Sequence, residues 1–143
     1  MAWEPPKPGQ VISYSYLWAR EYDDGYREGV KDRPCAVVAA VKIERDQTQV
    51  LVLPITHSAP ENPADGIEIP PKVKGYLGLD ADRSWIIMSE ANVFIWPGPD
   101  LRPVQGRTEA TPYFGWLPPK LLKAMLDHAI ERKESKRIRP IRR

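Results

Sequence analysis

Four polar residues flank two apolar segments and carry the side chains that phosphodiester chemistry requires. Glu28 and Arg33 precede one apolar run, and Thr56 and His57 follow the next one. An arginine can fork onto two phosphate oxygens, and a hydroxyl can donate to a third. A carboxylate or an imidazole can move a proton near neutral pH. These four residues are therefore our candidate catalytic residues: Arg33, Glu28, Thr56 and His57.

Each of these residues also has a plainer interpretation. Arg33 can form an ion pair with a loop acid such as Asp32 or Glu28, and Glu28 can be a solvated loop residue. A polar strand end at Thr56 and His57 is also what solvent exposure alone produces. Residue type and spacing leave both interpretations open.

Aromatic residues near the same loop offer a way to hold single-stranded nucleic acid, because every base has a face that can stack on a ring. Trp18 and Tyr26 are the candidate RNA-binding residues of this kind. Tyr14, Tyr16 and Tyr22 lie in the same stretch of the chain. Packing inside the domain is the alternative explanation for this group.

Short strands must position these side chains. The chain has 16 prolines in 143 residues, and prolines between apolar runs favour strands and turns over long helices. The charged segment 19–32 is predicted to be a loop, and a helical turn is expected from Pro70 to Leu77. The apolar pattern predicts strands at 11–18, 35–43, 49–55, 67–69, 84–89 and 92–96, the last of them an edge strand and the second and third a hairpin.

One segment is strongly helical in its pattern. Pro118 and Pro119 suit a first helical turn, and the apolar residues that follow recur on one face: Leu121, Leu122, Met125, Leu126, Ala129 and Ile130. The pattern predicts a helix that starts near 118 and continues toward Lys136, with Met125 in the core. We expect one mainly β domain over 1–130, a small barrel with this helix packed on it. Residues 131–143 form the basic helix end and tail.

Charge is distributed unevenly along the chain. Residues 131–143 hold seven of the 21 Lys and Arg residues and two of the 19 acids, a net charge of +5, whereas the remainder has a net charge of −3. Such a tail can contact phosphates electrostatically. It can equally be a solvated end of the chain.

Composition and motifs exclude several classes of protein. One cysteine excludes an internal disulfide framework, and with only two histidines it disfavours a Cys/His zinc site. The chain has no P-loop, HExxH or Ser-His-Asp motif. It has no apolar run that could span a bilayer, and the start Met1–Pro6 lacks the features of a signal peptide. We expect a cytoplasmic protein with no cofactor, no metal and no membrane partner.

Three segments, taken in order, resemble the MazF/PemK (Kid) family of toxins from bacterial toxin–antitoxin pairs. They are Pro8–Ile12, Arg33–Val38 and Val52–Thr56. A fourth segment, Gly115-Trp116-Leu117, precedes the predicted helix as a similar segment does in the family. The similarity covers roughly residues 7–130.

The resemblance implies an SH3-like barrel of five to seven short antiparallel strands, a homodimer, and a growth-inhibiting toxin neutralised by an antitoxin protein. It implies a metal-independent endoribonuclease that cleaves single-stranded RNA to 2′,3′-cyclic phosphate and 5′-hydroxyl ends. By position, Arg33 matches the family's essential arginine and Thr56 its phosphate-contacting threonine. Glu28 matches a loop glutamate proposed as the base in some members.

One departure from the family pattern supports a second interpretation. Asn92 stands where some members carry a basic residue, and we take it as a further candidate RNA contact. The departure favours the alternative that the chain is a non-catalytic barrel that binds RNA or a protein. Gyrase-poisoning toxins of the CcdB type share the general fold, but the tail 139–143 lacks their apolar-aromatic ending.

Overall fold

Within residues 3–143, eight strands pair into one bent sheet that is accompanied by three α-helices. A computed structural model describes residues 3–143; residues 1 and 2, the start of the segment assessed above for a signal peptide, lie outside the described residues. The strands are β1 Gln10–Ser15, β2 Asp32–Lys42, β3 Thr48–Thr56, β4 Gly66–Glu68, β5 Trp85–Ile87, β6 Glu90–Ile95, β7 Tyr113–Trp116 and β8 Arg139–Arg142. The helices are α1 Ala19–Asp23, α2 Pro71–Leu77 and α3 Pro119–Glu134.

β3 is the strand that bends the sheet, because it changes partners along its length. The main path runs β4-β5-β3-β2-β1-β7, and β6 also pairs with β3. Gln49–Val52 of β3 pair with β6, whereas Ile55 and Thr56 pair with β5. The polar end of β3 therefore lies beside β5 and next to the start of β2.

The continuous apolar runs of the sequence reflect burial on both faces of the sheet. Residues of β1, β2 and β3 alternate between two cores. The first core lies under α2 and α3 and includes Val11, Ala36, Leu53, Ile55, Leu77 and Met125. The second is rich in aromatics and includes Ile12, Tyr14, Tyr16, Val52, Phe94 and Trp96. Because each strand supplies both cores, the positions at the strand ends are tightly fixed.

The structure confirms the predicted fold class, a mainly β chain with a small barrel and a C-terminal helix. The β2–β3 hairpin, the helix α2 and the start of α3 match the sequence pattern closely. Eight strands are present among residues 3–143, which is more than the predicted five to seven. β7 was not predicted because its four residues are half-buried or exposed and form no continuous buried run.

Two expectations about strands and loops are corrected. β6 is not an edge strand, because β8 pairs with it in parallel on the side opposite β3. The charged segment 19–32 is not all loop, because α1 forms at its start. Glu21 accepts a hydrogen bond from the Trp18 backbone N–H at 3.0 Å, which satisfies a donor at the start of this short helix.

Ion pairs fix the C-terminal part of the chain to the barrel. The Arg132 side chain of α3 is buried and donates to Asp65 at 2.6 Å and to the Ala64 carbonyl at 2.9 Å. Arg139 of β8 forms a two-pronged pair with Asp23 of α1 at 2.6 and 2.8 Å. The basic tail therefore ends in sheet structure. None of the helices within residues 3–143 combines the length and apolar character needed to cross a membrane.

Candidate functional site

A two-lobed cleft opens where β2 begins and β3 ends. The inner lobe, about 260 Å³, is lined by Lys31, Asp32, Arg33, Pro34, Ile55, Thr56, His57, Leu79, Asp80 and Ser84. The outer lobe, about 510 Å³, is lined by Trp18, Arg20, Lys31, Arg33, Thr56, His57, Ser58, Pro60, Glu61, Asp65, Ile87, Ser89 and Glu90. Both lobes share four polar residues: Lys31, Arg33, Thr56 and His57. Three of the four predicted catalytic residues therefore meet at the junction of the lobes.

Arg33 is the second residue of β2, and its side chain lies against the ring of Trp18. Its backbone pairs with Tyr14 of β1, and its guanidinium carbon lies 5.0 Å from the centre of the Trp18 ring. Burial lowers the pKa of Arg33, although an arginine stays charged at any physiological pH. No carboxylate within the described residues forms an ion pair with it, and its buried Nε has no hydrogen-bond partner there. The expected pairing with Asp32 or Glu28 is absent, because Asp32 instead faces Arg102 at 3.6 Å.

Thr56, the last residue of β3, presents a hydroxyl to both lobes. Its Oγ1 accepts a hydrogen bond from the Ser58 backbone N–H at 3.3 Å. A hydroxyl that accepts one bond still has its own proton to donate. Thr56 can therefore donate to an anionic oxygen bound beside Arg33.

His57 is the end of a chain of three charged or polar side chains. Its Nε2 lies 2.8 Å from Oδ2 of Asp80, and the other oxygen of Asp80 lies 2.7 Å from Nζ of Lys74. The Lys74 hydrogen bond is the main cause that lowers the pKa of Asp80. Asp80 is thus a carboxylate at neutral pH and places a negative charge beside one nitrogen of the imidazole.

The same corner brings three potential metal ligands, one imidazole and two carboxylates, close together. Ligand atoms of His57, Asp80 and Asp82 lie within 4.8 Å of one another. However, Nζ of Lys74 already donates to Asp80 and to the Asp82 carbonyl. Because this ammonium supplies the positive charge that the carboxylate needs, we assign no metal to the corner.

The outer lobe is polar and carries a half-buried acid. The Oε1 atom of Glu90 accepts hydrogen bonds from the Ala19 backbone N–H at 2.8 Å and from the Tyr16 hydroxyl at 3.1 Å. Burial raises the pKa of Glu90. The guanidinium of Arg20 lies 4.9 Å from the Trp18 ring, as that of Arg33 does at 5.0 Å. Two arginine side chains therefore lie against the Trp18 ring, which is itself largely buried. Little of the ring surface remains for a base to stack on.

Three predicted site residues lie outside the cleft: the exposed Glu28 and Tyr26, and the buried Asn92. Glu28 is exposed in the loop before β2 and lines neither lobe. Tyr26, in the same loop, is 51% exposed and also lines neither lobe. Tyr14 and Tyr16 are buried in the aromatic core. The structure therefore does not bring the predicted base Glu28 to Arg33.

Asn92 has a structural role and is not accessible to a ligand. It is 0% exposed, and its side-chain amide bonds to both the N–H and the carbonyl of Leu17 at 2.8 Å. Its oxygen also accepts from Arg143 at 3.1 Å. Asn92 therefore ties the end of β1 to β6, and the expectation that it contacts RNA is corrected. The positive charge beside Asn92 belongs to Arg143, whose side chain is 4% exposed.

Four residues of the cleft and its support were missed by the sequence-based prediction: Lys31, Lys74, Asp80 and Glu90. Lys74 and Asp80 lie on α2 and the loop after it, more than a dozen residues from His57 in sequence. Charged residues in a loop read as solvated, and no spacing rule links them to a distant histidine. The sequence did contain a signal for Glu90, because this acid directly follows the buried strand predicted at 84–89.

A larger groove lies elsewhere on the surface, between α3 and the sheet. It measures about 700 Å³ and is lined mainly by aliphatic side chains such as Val38, Leu51 and Ile130, with lysines and an arginine at its rim. It has no acid and no imidazole among its lining residues. The two-lobed cleft is therefore the better candidate for chemistry.

Comparison with models of known protein families gives no match to the chain, and comparison with curated protein sequences gives none either. The functional argument consequently depends on the cleft and on the residues that line it.

Proposed function

We propose that this protein is an endoribonuclease that cleaves single-stranded RNA without a metal, as a toxin of the MazF/PemK (Kid) type. In this proposal the products carry 2′,3′-cyclic phosphate and 5′-hydroxyl ends. The protein acts in the cytoplasm as a homodimer, and an antitoxin protein restrains it.

The observation that carries the proposal is the meeting of Lys31, Arg33, Thr56 and His57 at the junction of two lobes. Two cations and a hydroxyl donor suit a phosphate at the junction. A lobe on each side leaves room for the nucleotides that flank this phosphate. A chain with flanking nucleotides splayed into two lobes is single-stranded, which sets the substrate class.

The chemistry follows from the placement of these groups. His57 takes the proton of the ribose 2′-hydroxyl, and the 2′ oxygen forms a bond to phosphorus. The bond from phosphorus to the 5′ oxygen breaks, and this oxygen takes a proton from the solvent that reaches the open cleft. Arg33 and Thr56 stabilise the negative charge that develops on the phosphate oxygens, which is typically the largest catalytic effect.

The position of Glu28 favours His57 as the base. Glu28 is exposed and outside both lobes, whereas the His57 ring lines both. A base must come within hydrogen-bond reach of the proton that it removes. In the proposed reaction Glu28 is therefore dispensable unless its loop closes over the cleft when RNA binds.

A cleavage assay with matched arginine variants tests the proposal. Purified protein is incubated with a long single-stranded RNA in EDTA, and the ends of the products are mapped. Arg33→Ala should lower the cleavage rate by about 10²–10³-fold or more, because one preorganised charge donor is lost. Arg27→Ala is the control, since Arg27 is exposed on the neighbouring loop and stacks on Tyr22 outside the cleft.

Circular dichroism shows whether both variants keep the fold. Cleavage by Arg33→Ala at the parent rate would disprove the site, and a Glu28→Gln variant as slow as Arg33→Ala would restore Glu28 as the base. An inactive parent that still binds RNA would favour the alternative, a non-catalytic RNA-binding barrel.

A further inference from the structure

Asp80 is a carboxylate whose two oxygens are used in different ways. Its Oδ1 accepts from Nζ of Lys74 at 2.7 Å and from the backbone N–H of Asp82 at 3.1 Å. Its Oδ2 lies 2.8 Å from Nε2 of His57. Because two hydrogen bonds hold Oδ1, the carboxylate cannot rotate freely, and the position of Oδ2 is therefore fixed as well.

Lys74 is the buried anchor of this arrangement. Its side chain is only 5% exposed, and its ammonium donates both to Asp80 and to the Asp82 carbonyl. A buried ammonium is costly unless it is paired and hydrogen-bonded. The loop after α2 is therefore held in one conformation around this charge, and Asp80 is presented from it.

We propose that Lys74 and Asp80 are positioning residues for His57. The carboxylate oxygen Oδ2 of Asp80, 2.8 Å from Nε2, favours the tautomer with its proton on Nε2, which leaves Nδ1 as the nitrogen that accepts a proton. Lys74 acts one step further back by fixing the carboxylate. This inference rests on the proposed function, because it assigns the proton acceptor of that reaction.

Stability alone does not account for the pair at the cleft. The side chains of His57 and Asp80 are 51% and 53% exposed, and exposed ion pairs contribute little to stability. Both side chains line the inner lobe together with Arg33 and Thr56. An ordered imidazole beside a phosphate-binding arginine is more useful for proton transfer than for folding.

A double-mutant cycle on RNA cleavage separates positioning from a structural effect. His57→Ala should slow cleavage by about 10²–10⁴-fold, the usual share of a general base. Asp80→Asn should lower kcat by no more than His57→Ala does, and it should leave KM unchanged. In the His57→Ala background, Asp80→Asn should cause no further loss, because residues that act as a unit are not additive.

An equal loss from Asp80→Asn in both backgrounds would show that Asp80 does not act through His57, while the proposed function would stand. A parent protein that cleaves no RNA would overturn the proposed function and this inference together. The two failures are thus distinguishable in one set of assays.

A spectroscopic measurement on the parent protein gives a readout besides activity. Long-range ¹⁵N–¹H spectra at about pH 8, where an unperturbed imidazole is mostly neutral, report which ring nitrogen carries the proton. His57 should be the Nε2–H tautomer alone and become a mixture in Asp80→Asn, with His128 on α3 as the unchanged internal reference. An Nδ1–H tautomer in the parent, or a tautomer ratio unaffected by Asp80→Asn, would overturn the proposal.

Discussion

The buried and half-buried arginines of this protein differ in their partners, and this difference supports Arg33 as the proposed phosphate-binding residue. Arg132 and Arg143 are buried but paired with Asp65 and Asp100 at 2.6 and 3.3 Å. Arg33 is half-buried, and among residues 3–143 it has a tryptophan ring but no carboxylate beside it. A guanidinium kept partly out of water without a counter-ion is prepared for an external anion.

Single residues also decide how α3 docks. Met125 is fully buried in the core under the helix, whereas Ile130 is 57% exposed. The sequence pattern places both residues on the apolar face of the helix. Of the six apolar residues predicted for that face, only Leu121, Met125 and Ala129 are buried. The buried stripe is narrower than the pattern predicts, because the helix contacts the sheet along one row of residues four apart.

Met125→Ala should therefore destabilise the protein by about 2–5 kcal/mol, through lost burial and a residual cavity. Ile130→Ala, on the same helix, should stay within about 0.5 kcal/mol as a surface change does. Urea unfolding of both variants measures the difference. Equal free energies of unfolding for the two would mean that α3 does not pack on the sheet through Met125.

At the scale of elements, the site depends on the loop that leads into β2. Gly29 lies where this loop passes over the end of β1. A Cβ added to Gly29 would come 2.6 Å from the carbonyl oxygens of Ser15 and Tyr16. Both are backbone atoms of the barrel, so the loop rather than β1 must move. Lys31 and Arg33 come two and four residues after Gly29 and would move with the loop.

Gly29→Ala should cost about 1–3 kcal/mol of stability, as overpacking does, and should slow RNA cleavage as well. Gly75→Ala is the matched control, because no heavy atom lies within 4 Å of the added Cβ and alanine favours the helix α2 by about 0.5–1 kcal/mol. Urea unfolding and the cleavage assay measure both effects. A Gly29→Ala protein as stable and active as the parent would show that the loop adapts freely.

The apolar runs predict the strands of the sheet well, because burial on both faces leaves a strong signal in the sequence. β7 and β8 are the exceptions. The residues of β7 are only half-buried or exposed. Those of β8 include two arginines and a proline and form a strand by pairing with β6. Asn92 was misread for a similar reason. Its burial depends on the Leu17 backbone groups that its amide satisfies, and a contact 75 positions away in sequence leaves no local pattern.

The junction of the cleft was predictable in part. Arg33, Thr56 and His57 stand at the ends of strands that the apolar pattern defines, so their meeting follows from the hairpin. Asp80 and Lys74 could not be predicted, since their partnership with His57 depends on how α2 packs over the sheet. Tertiary packing, and not sequence spacing, brings the Asp80 carboxylate to the His57 imidazole.

At the scale of the whole molecule, the C-terminal segment joins the sheet beside β6 and binds the N-terminal half of the chain through two arginines. β8 lies parallel to β6, and Arg139 at its start pairs with Asp23 of α1. Arg143 at its end donates to the Ser15 carbonyl at 2.8 Å and lies 3.3 Å from Asp100. The positive charge that the sequence concentrates in the tail is therefore partly used to hold distant elements together.

The ion pair between Arg139 and Asp23 makes part of the stability of the protein sensitive to acid. The hydrogen bonds from Arg139 lower the pKa of Asp23 below its ordinary value. In the unfolded chain the carboxyl has an ordinary pKa of about 3.9, so the unfolded state binds the proton more readily. The contribution of this pair is fully present above about pH 4 and is lost as the pH falls through the lower, folded-state pKa.

Asp23→Asn should therefore flatten the fall in the free energy of unfolding between about pH 4 and pH 2. Both partners of the pair are about half exposed, so the effect should be modest and should shrink in about 1 M salt, where charges are screened. Asp24→Asn is the control, because Asp24 is the exposed neighbour and forms no ion pair within the described residues. Urea unfolding across this pH range decides the matter, since matching acid limbs in the parent and Asp23→Asn would mean that β8 and α1 are held together by packing alone.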